Sequence, residues 1–94
     1  MRTAYHIIHV AQDGIPRIFG TIFIKVEDVP VSVMTQRCLE AIAKADSSLE
    51  IERLKTKIIG TAELDFTGIS ADHLGHYVEW AQNGTRIPRI VVIL

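Results

Sequence analysis

Residues 51–66 read IERLKTKIIGTAELDF. With a period of two, Leu54, Thr56, Ile58, Gly60, Ala62, Leu64 and Phe66 fall on one side, and Arg53, Lys55, Lys57, Ile59, Thr61, Glu63 and Asp65 on the other. Successive side chains of a strand point to opposite faces. The alternation therefore predicts a long strand with one buried and one wet face, or a hairpin divided at Gly60.

The segments on either side supply neighbours or cover for that sheet. Upstream, AYHIIHVA (residues 4–11) and RIFGTIFIKVE (17–27) flank Asp13-Gly14, and Asp-Gly between β-branched runs predicts a hairpin. In the second run Ile18, Gly20, Ile22, Ile24 and Val26 share a core face, while Phe19 and Phe23 sit among polar residues on the other. Glu27-Asp28-Val29-Pro30 closes the hairpin, and a helix is expected from Pro30 or just after it, with Ser32 as a candidate N-cap. Its apolar stripe gathers Val31, Met34, Cys38, Ala41, Ile42 and Ala45, and it runs to about Asp46. Downstream, Ser70 opens a second predicted helix over 70–82 that stops at Asn83-Gly84, with Leu74, Tyr77, Val78 and Ala81 facing the core. The run IVVIL at 90–94 predicts a final strand buried on both faces.

The expected architecture is α+β: a two-layer sandwich with a largely antiparallel sheet of four to five strands and two helices, in the order ββα-β(β)-αβ. A chain of 94 residues, 48% hydrophobic and 22% charged, is read as a single domain over 1–94 with one core and little stability to spare. The formal net charge of −1 argues against general phosphate binding. Cys38 is the one cysteine, so neither an internal disulfide nor a cysteine zinc site is available, and its place on the core stripe predicts a buried thiol rather than a nucleophile. No leader or membrane-spanning run is read in the chain, and a cytoplasmic setting follows as the expectation.

Two clusters carry the candidate chemistry. Arg53, Lys55 and Lys57 form a basic row that Arg86 and Arg89 could extend; beside Phe19 and Phe23 this resembles the cation-plus-ring surface that holds single-stranded nucleic acid. Alternating Lys and Arg also keep exposed strands soluble, so the basic row has a bland reading too. On the second predicted helix His73, His76 and Trp80 lie together off the core stripe, with Tyr77 bridging to it. A tryptophan so placed marks a covered surface, and Gly75 one turn away suits a close approach. Two histidines at that spacing make a poor metal site without further ligands. No catalytic residue, metal or cofactor is assigned. The leading expectation is a non-enzymatic interaction domain, homodimeric or bound to another protein, with Phe19, Phe23, His73, His76, Tyr77 and Trp80 as interface candidates. The rivals are single-stranded nucleic-acid binding and a small oligomeric enzyme using His73, His76 or Tyr77.

Overall fold

The computed structural model describes residues 2–15, 17–67 and 90–94. Its elements run β1 (Thr3–Gln12), β2 (Ile18–Lys25), α1 (Val31–Ala45), a 3₁₀ turn at Ile51–Arg53, β3 (Leu54–Leu64) and β4 (Ile90–Ile93). The class is α+β, with a four-stranded sheet in the order β3-β1-β2-β4. The second predicted helix, with Tyr77, Trp80, His73, His76 and Gly75, lies outside the described residues, as do Arg86 and Arg89.

The hairpin forms as its turn dictates. Gly14 takes φ 77°, a left-handed conformation that glycine adopts without a Cβ penalty, and the Ile15 amide closes the turn onto the Gln12 carbonyl at 3.1 Å. β1 then pairs antiparallel with β2, His9 opposite Thr21 and Ile7 opposite Phe23. β4 runs parallel to β2, so the sheet is mixed, with its other two described pairings antiparallel. The expectation of a strand buried on both faces is corrected: Ile90, Val91 and Val92 are only partly buried and Ile93 and Leu94 are each 40% exposed, because β4 stands at the end of the described strand order; its direction is invisible to periodicity.

β3 settles the choice between strand and hairpin as one strand, antiparallel to β1. Gly60 does not turn the chain. Gly60 pairs with Ile7 and Ile58 with Ile8, which leaves Ile59 as an extra, bulged residue. The bulge reverses the alternation. Leu54, Thr56 and Ile58 share the face of Val10 and Ile8, whereas Gly60, Ala62 and Leu64 share that of Ile7 and Tyr5. The expectation that all of them lie on one side is thereby corrected.

Each face of the sheet has a core. On one, Ile8, Val10, Ile22, Ile24 and Leu54 meet Met34, Cys38 and Ile42 of α1. Gly20 sits where the helix comes closest: a Cβ there would collide with Ile42 Cδ1 and stand 3.0 Å from the Ile90 carbonyl oxygen. The helix stripe is narrower than expected, since Val31 is 67% exposed. Its N-cap is Pro30 with no side-chain cap, and Ser32 lies inside the first turn. The Asp46 amide donates to the Ile42 carbonyl at the other end, and the Asp46 carboxylate accepts from the Ser48 amide and hydroxyl.

On the opposite face Tyr5, Ile7, Phe23 and Leu64 form a second core, with Phe66 edge-on to both Tyr5 (4.9 Å) and Phe23 (5.1 Å). No described helix is long and apolar enough to cross a membrane.

Candidate functional site: the β3 edge

β3 stands at the end of the sheet order, with β1 as its one neighbour among the described residues. Eleven residues at about 3.4 Å each give roughly 37 Å of strand whose outer amides and carbonyls face away from β1. Several side chains along it are exposed: Lys55, Lys57, Ile58, Thr61 and Glu63. Ile58 is 45% exposed, an apolar side chain on the helix face beyond the reach of the described core.

Anchors at the start of the strand hold the edge in place. The Arg53 carbonyl accepts from the Asp13 amide at 2.8 Å, tying the 3₁₀ turn to the β1–β2 turn. Lys55 Nζ lies 2.9 Å from Asp13 Oδ1, both side chains well exposed. That lysine, through its hydrogen bond and then its charge, holds the Asp13 carboxyl below its ordinary range. Exposed pairs of this kind contribute little stability; their effect here is to fix direction. Halfway along, Thr61 Oγ1 and His6 Nδ1 lie 3.0 Å apart across β3 and β1.

The basic row is only partly a row. Arg53 belongs to the 3₁₀ turn, Lys55 is engaged by Asp13, and Lys57 lies beside His9 on the face opposite α1. His9 titrates below its ordinary value because it is partly buried and, secondarily, because Lys57 is near. Among the described residues neither His9 Nε2 nor its cross-strand neighbour Thr21 Oγ1 has a hydrogen-bond partner.

The two phenylalanines are not where a surface role needs them. Phe23 is 0% and Phe19 9% exposed in a single copy of the chain. Phe23 packs into the second core, and the Arg17 guanidinium lies 5.9 Å from the Phe19 ring centre. Both rings are buried in a single copy of the chain, Phe23 within the second core. Tyr77 and Trp80, with His73 and His76, lie outside the described residues.

Other chemistry is sparse. Cys38 is fully buried and its thiol is pushed up to about 11 by desolvation, so at neutral pH it carries almost no thiolate. Among the described residues no three His, Cys, Asp or Glu side chains converge. A groove of about 320 Å³ runs between α1 and the end of β2, with Ile24, Ala41 and Leu94 in its wall. Arg37 and Glu27 pair across its rim at 3.1 Å.

No family model, curated protein or solved structure matches this chain. The exposed edge was missed by periodicity, which reports faces and not strand order. The one signal for it is the uncharged stretch 58–62 between lysines and a glutamate.

Proposed function

We propose that this chain is a small non-enzymatic contact domain that works by joining its β3 edge to another polypeptide. The observation that carries the reading is the outer edge of Leu54–Leu64, the longest strand described, which no other described strand pairs and along which five side chains are exposed. An open strand edge presents a row of backbone donors and acceptors that an added strand satisfies, and such pairing is a recurring mode of protein recognition. Ile58 beside that edge supplies apolar area for the contact.

A photo-crosslinking side chain placed at exposed Thr61, in cells, tests the reading against the same probe at exposed Ser32 on α1. Adducts with polypeptide from position 61 and not from position 32 are expected. Their absence from position 61 would remove the proposal.

A further inference from the structure

We infer that the polypeptide occupying the β3 edge is a second copy of this chain, paired antiparallel about a two-fold axis between Ile59 and Gly60. This rests on the reading of β3 as a contact edge. Three observations lead to it.

Charge is the first. β3 carries Lys55 and Lys57 towards one end and Glu63 near the other, with Asp65 just beyond it; at the lysine end Arg53 is flanked by Glu52, and Lys55 is paired with Asp13. An antiparallel second copy lays each basic half along an acidic half. A parallel one lays like along like, which opposes association. The centre, Ile58 to Ala62, is uncharged.

The bulge is the second. Residues directly opposite in an antiparallel pair share a face. A regular strand satisfies this with itself at every second register. In β3 the faces reverse at Ile59: Thr56, Ile58, Thr61 and Glu63 lie on the α1 side, and Lys55, Lys57, Gly60, Ala62 and Leu64 on the other. One register matches faces in both halves. It sets Ile58 against Thr61 of the second copy, Lys57 against Ala62 and Lys55 against Leu64, with Ile59 against Gly60.

Gly60 is the third. Its φ is not positive, since Gly14 is the one described glycine with a positive φ, and a Cβ at Gly60 would meet nothing within 4 Å. Nothing described within the chain requires glycine there, although glycine weakens a strand. In the matched register Gly60 faces the bulged Ile59 of the other copy, where a missing side chain lets the two backbones close. The joined edges form one continuous eight-stranded sheet with both α1 helices on the same side.

The test is light-scattering mass across a micromolar to submillimolar range for wild type, K55E/K57E and E63K/D65K, with circular dichroism to verify folding. Wild type should dimerise, and each variant alone should weaken the dimer, because it gathers like charge along both halves of the joined edges even though no two charged residues face each other in the matched register. An equimolar mixture of the two should recover the dimer. Register is read separately: under oxidation I58C/T61C should lock into a covalent dimer, while I58C or T61C alone should not, because each then faces a residue without a thiol. A monomeric wild type, a dimer indifferent to both charge variants, or an I58C/T61C protein that fails to lock overturns the inference. If the monomer still gives adducts from position 61 with other polypeptides, the second copy is wrong and the contact edge stands; if it gives none, both fall.

Discussion

Two glycines show how far one residue type differs by place. Gly20 lies under α1, where an added methyl meets Ile42 and comes within 3.0 Å of a backbone oxygen, whereas Gly60 has open space around it. Gly20→Ala should lower stability by about 1–3 kcal/mol through overpacking. Gly60→Ala, measured at concentrations low enough to keep the chain monomeric, should be neutral or stabilising by up to about 1 kcal/mol through reduced freedom of the unfolded chain. Urea midpoints of the two variants against wild type decide this, and equal losses would contradict it. His9 gives the pH prediction at the same scale. Its folded-state pKa lies below the ordinary 6.5, so the native state favours the neutral ring and the unfolded chain binds the proton more readily. Its contribution is present above about pH 6.5 and lost as pH falls toward and below the depressed value. An NMR titration of His9 should fall below 6.5 and move upward in Lys57→Gln; a midpoint at or above 6.5 would contradict the burial assigned to it.

At the scale of elements, the hairpin, the first helix and the extended character of 51–66 were all legible, because turn chemistry and apolar period are local. The reversal of faces within β3 was not. Leu54, Ile58, Ala62 and Leu64 all have even numbers, and a period of two cannot reveal that one bulged residue has shifted the later pair to the other face. Nor could Phe19 and Phe23 be placed, since a face with mixed residues reads as wet until a second core is found beneath it. The bulge makes a testable distinction between two deletions. Removing Ile59 restores simple alternation and keeps Leu54 and Leu64 on their own faces; it should cost roughly 1 kcal/mol, the packing of a half-buried isoleucine. Removing Thr56 turns Leu54 out of the core beneath α1, with a loss of about 2–5 kcal/mol. Denaturant unfolding of the two deletions should show that difference, and comparable losses would mean that Ile59 is not the inserted residue.

For the whole molecule, α1 covers one face of the sheet, core residues line the other, and among the described residues β3 and β4 form its two rims. The candidate residues chosen from sequence were rings and charges, which patterning makes visible. The edge is a property of strand order, and strand order is set by contacts far apart in the chain, as in the pairing of β4 beside β2. With a net charge of −1 there is little overall repulsion between copies, so association should follow the local arrangement of lysines and acids on β3. It should weaken as salt rises, because those charges are exposed and screened. The mass of wild type measured from low to high ionic strength checks this, and a dimer that tightens with salt would point to an apolar surface elsewhere. The most direct measurement is amide hydrogen exchange along residues 54–64 at low and high protein concentration. The amides facing away from β1 should exchange freely in the dilute protein and slow markedly as concentration rises. Outward amides that exchange at the same fast rate at every concentration would contradict the paired edge.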